Sequence, residues 1–400
     1  MNVANNTIPF VDLNFQHQPI THDIEQAIAK VLKRGDFVLG EAVKSFETSF
    51  AQACGVSYGV GVGCGTDAIA LGLKEMGVKS GDEVILPTNT FVATLIGVIR
   101  SGAAPILVDC DPDTGLIDLS AAEQAITVHT QALIAVHLYG QMVSPTKLLS
   151  LASTYDIAIF EDAAQAHLAE REGYRAGSVG MAAAFSFYPS KNLGAFGDGG
   201  MLVTQDETIA ATARALRNYG APRKYYHTQL GTNSRLDSIQ AAVLMAKLPH
   251  LDGWNGDRRH IAQQYDRLLA PLKEYGISPL CNASESGHAS ESGHVYHLYV
   301  IKVADTCHID RDVLQMLLAD HGVHSGIHYP LPCHLQPAFL SLGYKEGQFP
   351  HAESLCQSIL SLPMYPGLTH TQIQYVTDVL ESVLHSAPST LHTKQTLLAS

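Results

Sequence analysis

The chain is short of charge, of tryptophan and of paired cysteine. Of its 400 residues only 16% are Asp, Glu, Lys or Arg, and there is a single tryptophan. So little charge beside 46% hydrophobic residues excludes a disordered or fibrous chain, because ample apolar surface is available to bury. Basic residues are the scarcer sign: 25 Lys and Arg face 38 Asp and Glu, a formal charge of −13. An acidic surface repels phosphate backbones, so nucleic acid is not expected as a partner. The seven cysteines (54, 64, 110, 281, 307, 333 and 356) are odd in number and never form a C-x-x-C pair. That excludes a disulfide framework and a zinc ribbon and suits a reducing compartment. Long apolar runs are missing as well; 91–99 is half of the roughly 18 residues that would span a bilayer. The first residues carry no basic stretch followed by an apolar one. The expectation is a cytoplasmic protein with no signal peptide and no membrane partner.

What is present is periodic. Residues 23–34 place Ile24, Ala27, Ile28, Val31 and Leu32 at helical spacing, and Gly35 stops the run. From about 60 to 205, short β-branched runs fall at 83–86, 106–109, 133–137, 157–161, 183–187 and 201–204. Helix-like segments at 93–101, 120–127 and 145–155 separate most of them. This alternation, with nearly continuous apolar strands, predicts an α/β fold: a mostly parallel sheet covered by helices. Further helices are expected at 208–219, 235–248 and 257–275. A half-buried strand follows at 295–303, then a helix at 311–321, a strand at 322–329, and helices near 351–360 and 370–384. The expected organisation is a large α/β domain over 1–264, a smaller α+β domain over 265–385, and a loose tail over 386–400. Between 283 and 294 the hexad Ala-Ser-Glu-Ser-Gly-His occurs twice in tandem. Having nothing more apolar than alanine, it is read as a mobile surface loop left by a small duplication, rather than a His-rich metal site.

Three stretches carry chemistry. Gly59-Val-Gly-Val-Gly-Cys-Gly-Thr66-Asp67-Ala68 runs from a strand into a helix, where bare N–H groups attract an anion. Alone it fits a tight turn or a dinucleotide fingerprint equally well. Glu161 and Asp162 end a buried strand, where ligands bind in open α/β sheets. Alternation sends the two to opposite sides, so one faces the site; a helix cap is the plain alternative. Ser186-Phe-Tyr188-Pro-Ser-Lys191 puts a lysine inside a glycine-rich turn after an apolar strand. A desolvated lysine there can form a Schiff base, whereas on an open surface it would only be solvated. Pyridoxal phosphate is the one cofactor that uses all three, needing an aldehyde-reactive lysine, an acid for its pyridine nitrogen and a phosphate cradle. A nicotinamide-dependent oxidoreductase would use the glycines but leave Asp162 and Lys191 without a task.

The motifs Gly65-Thr66-Asp67-Ala68, Pro87-Thr-Asn-Thr-Phe91-Val-Ala-Thr94, Glu161-Asp-Ala-Ala-Gln165, Ser186-Phe-Tyr-Pro-Ser-Lys191-Asn and Gly231-Thr-Asn233-Ser-Arg235 resemble the DegT/DnrJ/EryC1/StrS family. These are sugar aminotransferases of fold type I, cycling between pyridoxal and pyridoxamine phosphate. The resemblance implies that Lys191 is the Schiff-base lysine and Asp162 the partner of the ring nitrogen. It implies Gln165 beside the 3-hydroxyl, Phe91 on the ring, and Gly65, Thr66 and Ser186 on the phosphate. It also implies a homodimer in which Asn233 reaches the neighbouring subunit's phosphate.

The stretch Val136-His-Leu-Tyr-Gly140-Gln and the loop His328-Tyr329-Pro330 are most similar to the subgroup that aminates C3 of nucleotide-linked, usually dTDP-linked, 3-keto-6-deoxyhexoses. L-Glutamate is the implied donor; C4 amination and a non-catalytic regulatory role are the alternatives. Tyr188, His328 and Tyr329 are the candidate substrate contacts. His167-Leu168-Ala169 departs from the pattern, since relatives usually carry Gly after the histidine. His321, His324, His328 and His334 cluster in sequence, but without convergent geometry no metal is expected.

Overall fold

The computed structural model describes residues 7–282 and 293–386. Most of the tandem hexad and the tail from 387 lie outside them. Nine strands precede residue 205: β1 (Tyr58–Val62), β2 (Glu83–Pro87), β3 (Ala104–Val108), β4 (Thr130–Val136), β5 (Ala158–Asp162), β6 (Glu170–Arg171), β7 (Tyr174–Arg175), β8 (Ala182–Ser186) and β9 (Gly200–Thr204). Seven of these form one sheet in the order β1-β9-β8-β5-β4-β2-β3, while β6 and β7 make a small hairpin. The pairs β8–β5, β5–β4, β4–β2 and β2–β3 are parallel; β9 runs antiparallel to both its neighbours. Residues such as Ile85, Leu133, Ile134, Phe160, Ala183 and Leu202 are fully buried, as strands covered on both faces must be.

The helices between the strands start where the sequence supplies caps. Asp118, Ser144, Asp206 and Asp237 each accept hydrogen bonds from N–H groups of the first turn of the helix that follows. The helix Leu119–Gln124 is shorter than expected. Beyond it Thr127 turns to Glu83 and Thr130 instead of continuing the spiral.

A second apolar cluster joins Ile8 to residues between Ile261 and Leu384. It packs on the antiparallel strands β10 (Ile277–Pro279), β11 (Tyr299–Val303) and β12 (Ile359–Leu362). The helices Leu251–Leu269, Arg311–Asp320 and His370–Ser386 cover it.

Two expectations fail here. Residues 322–329 are not a strand: Val323 bridges Ile8 and Gly326 bridges Ser361. The two anchors face different partners, so no ladder propagates. Nor is the end of the second hexad copy loose. The Gly293 carbonyl accepts the Glu170 N–H at 3.0 Å, and buried His294 stacks on Tyr296 with ring centroids 3.8 Å apart.

Candidate active site

The carboxyl ends of β4, β5 and β8 open onto a cavity of about 320 Å³. At its floor lies Asp162, the last residue of β5. Its Oδ2 accepts from Thr94 Oγ1 at 2.7 Å and its Oδ1 from the Ala164 N–H at 3.2 Å. Burial raises the pKa of this carboxyl, opposed by these bonds and by the Lys191 charge. Glu161 points to the other side of the sheet. There it accepts the N–H groups of Gly177, Val179 and Gly180 and pairs with His137 Nε2 at 2.9 Å.

Lys191 sits in the turn after β8. Its N–H donates to the Tyr188 carbonyl at 2.9 Å, and the Ala195 N–H returns to the Phe187 carbonyl at 2.8 Å. The turn closes so tightly that a Cβ on Gly194 would lie 2.2 Å from the Pro189 carbonyl oxygen. Desolvation lowers the Lys191 pKa to about 8, against the opposite pull of Asp162. Around the turn, Asn192 Nδ2 donates to Asn255 Oδ1 and to the Val295 carbonyl, both at 2.8 Å, and the Lys247 ammonium holds the Gly194 carbonyl.

The helix Gly65–Glu75 begins at the cavity wall, and its N-cap residue Cys64 contributes no side-chain cap. A Cβ at Gly65 would stand 3.0 Å from Ser186 Cβ, and one at Gly200 2.4 Å from the Cys64 carbonyl carbon. Both glycines are needed for β8 and β9 to pass beneath an open helix start.

Of the residues singled out from the sequence, Gly65, Thr66, Phe91, Asp162, Gln165, Ser186, Tyr188, Lys191, His328 and Tyr329 all line this one cavity. Phe91 and Tyr329 face each other with ring centroids 5.3 Å apart. Gln165 accepts the Tyr139 N–H at 2.6 Å and donates to Tyr329 Oη at 3.0 Å. His328 Nδ1 meets Ser361 Oγ at 2.9 Å, and its carbonyl accepts the Tyr139 hydroxyl. Asn233 is exposed, bridged to Asn218, and takes no part in the lining. Thr94, His137 and His297 also reach the site. The first two stood inside quoted motifs without a role; His297 had no signal at all. Among the described residues no group of three or more His, Cys, Asp or Glu is placed to hold a metal.

Pyridoxal phosphate fits this donor set. An uncapped helix start suits a phosphate, a buried carboxyl suits a protonated ring nitrogen, and an amine lowered to about 8 suits an aldehyde. The profile of the DegT/DnrJ/EryC1/StrS aminotransferases matches residues 18–381. The chain belongs to that family. This aminotransferase is 43% identical over 93% of its length, and 97% of the relative's, to a Geobacillus stearothermophilus protein called a pleiotropic regulatory protein. It is 42% identical to the dTDP-3-amino-3,4,6-trideoxy-alpha-D-glucose transaminase of Streptomyces venezuelae, over 93% of this chain and 95% of that one. It also superposes on the crystal structure of S. venezuelae DesV in complex with a ketimine intermediate. The TM-score is 0.89 at 41% identity, covering 96% of this chain and 100% of that chain.

The protein is therefore a pyridoxal-phosphate-dependent sugar aminotransferase of fold type I, and the oxidoreductase reading falls. Among the described residues no helix is long and apolar enough to cross a membrane.

Proposed function

We propose that this aminotransferase converts a nucleotide-linked 3-keto-6-deoxyhexose, with dTDP as the nucleotide, into the 3-amino-3,6-dideoxyhexose, using L-glutamate as donor. The observation that carries this reading is the shared cavity of Lys191 and Asp162 beneath the uncapped start of the helix Gly65–Glu75. The 3-amino product in the name of the S. venezuelae relative favours C3 over C4.

When bound, the cofactor supplies an aldehyde that captures amines and a ring that accepts electrons. The chain's own residues do the rest. Lys191 would hold the cofactor by its aldehyde and would serve as the general base and acid that moves the proton. Asp162, braced by Thr94, holds a proton on the ring nitrogen. The N–H groups of Gly65 and Thr66, with the Ser186 hydroxyl, take the phosphate, while Phe91 covers the ring. Gln165 would lie beside the 3-hydroxyl, and Tyr188, His328 and Tyr329, which line the same cavity, would face the sugar.

Asn233 completes the phosphate site of a second copy in a homodimer. Its own loop is tied to the glycine turn, since Ser234 Oγ donates to Asp67 Oδ2 at 2.5 Å and accepts the Gly63 N–H at 3.0 Å. Exposed Phe37, Phe196, Tyr219, Tyr225 and Leu230 supply apolar surface for the second copy to cover.

Incubating the purified holoenzyme with glutamate and a panel of 3-keto and 4-keto sugar nucleotides tests this. The expected result is amine at C3 of the dTDP-linked 6-deoxy sugar; equal or better turnover of 4-keto sugars overturns it.

A further inference from the structure

Three histidines line the cavity: His137, His297 and His328. Two are engaged by the protein. His137 has Glu161 on one nitrogen and the Val143 N–H on the other, and His328 has Ser361 on Nδ1. His297 differs. It is 8% exposed, and among the described residues its buried Nδ1 meets no hydrogen-bond partner. A buried polar nitrogen left unpaired in a rigid site is costly, so it stands ready for a group that enters with a ligand.

The ring is held by its backbone. The His297 carbonyl accepts from the Arg258 guanidinium at 3.2 Å, and the Leu298 N–H donates to the Tyr139 carbonyl at 3.3 Å. The Val295 N–H donates to the Gly140 carbonyl at 3.0 Å. Gly140, at φ 103°, approaches so closely that a Cβ there would sit 3.0 Å from the His297 backbone nitrogen. Such clamping on both sides fixes the backbone that carries the imidazole before any substrate arrives.

Burial first, then the charges of Lys191 and Arg258, keep the ring uncharged at neutral pH. A neutral imidazole offers one donor and one acceptor, which matches a hydroxyl. Phosphate and carboxylate groups call for cations instead.

We propose that His297 selects the substrate, hydrogen-bonding the sugar hydroxyl that flanks the reacting carbonyl carbon. This rests on the reading of the cavity as a 3-keto sugar site. The test measures kcat/KM for three dTDP-linked acceptors: the 3-keto-6-deoxyhexose, its 4-deoxy analogue and its 2-deoxy analogue. Wild type, His297→Phe and His297→Asn holoenzymes are compared, and the visible absorbance of bound cofactor reports an intact site in each.

His297→Phe is expected to lower kcat/KM for the parent sugar about 10- to 100-fold. One of the two deoxy analogues should change less than about threefold, since it lacks the group that the histidine binds. His297→Asn, which keeps a donor and an acceptor, should recover part of the loss, and it carries the test if the Phe variant does not fold. An equal loss on all three acceptors, or no loss on the parent, overturns the proposal. Failure of wild type to aminate any of the three acceptors overturns the functional reading itself, and this inference with it.

Discussion

At the scale of single residues, the pair Lys191 and Asp162 carries the sharpest expectations. Lys191→Arg should abolish the visible absorbance of the lysine-bound cofactor and cut turnover at least about 10²–10⁴-fold, the usual worth of a positioned acid–base group. Normal transamination by that variant would remove the assignment. In the cofactor-free protein the amine is lowered from 10.5 to about 8. Its labelling by an amine-specific reagent should therefore rise with a midpoint near pH 8, and a midpoint near 10 would mean that the side chain is solvated.

Leu168 tests the departure noted in the sequence. It has φ 61°, a left-handed backbone that glycine adopts freely and leucine does not, yet its side chain packs on the main core. Strain relief and lost packing oppose each other in Leu168→Gly, which should stay within about 1 kcal/mol of wild type in chemical denaturation. Leu168→Val puts a β-branched side chain on the same backbone and should cost about 1–3 kcal/mol. The family resemblance marked this position as a departure; only the backbone angle shows that a glycine would sit there without strain.

Elements matter here chiefly through what holds their ends. The carboxylate of Glu161 gathers three backbone N–H groups of the 177–180 turn and His137 at the end of β4. Glu161→Ala leaves those buried donors without an acceptor and should destabilise the fold by about 3–5 kcal/mol, read as a fall in the denaturation midpoint. Alternation along β5 was enough to separate Glu161 from Asp162. What Glu161 grips was not legible, because its partners lie 16 to 24 residues away along the chain.

Lys247, at the end of the helix Ser238–Lys247, holds the Gly194 carbonyl of the lysine turn and is lowered by burial from 10.5 to about 8. Between those values the unfolded chain binds the extra proton, so folding gains stability as pH rises from about 8 to about 10.5, and below 8 the contribution is flat. Lys247→Met should remove that rise, seen as a smaller increase in melting temperature from pH 8 to pH 10 than in wild type.

For the molecule as a whole, we propose that the second apolar cluster, from Ile261 to Leu384 with Ile8, marks a smaller unit beside the large α/β one. The helix Leu251–Leu269 runs through the boundary expected at 264/265. Ile8 bridges Val323 within that cluster, so the start of the chain packs with the smaller unit and not with the large one expected over 1–264. The proposed homodimer predicts that Asn233→Ala weakens pyridoxal phosphate retention about tenfold or more without altering the monomer's fold. Dialysis followed by absorbance measures it, and sedimentation confirms the state of assembly. Unchanged retention in a dimeric variant would take Asn233 out of the phosphate site.

Sequence alone determined the alternation of strands and helices, and with it the parallel sheet. It also placed Gly65, Asp162, Ser186 and Lys191 at strand ends, because hydrophobic period and turn chemistry are local properties. Tertiary structure decided what lies far apart along the chain and close in space. It brought Thr94 to Asp162, Tyr139 to Gln165 and the 328–329 loop, and His297 to the cavity wall. It also showed that 322–329 follows two unrelated neighbours instead of pairing as a strand. These contacts arise from how layers pack, and no periodicity within one segment encodes which distant segment it will meet.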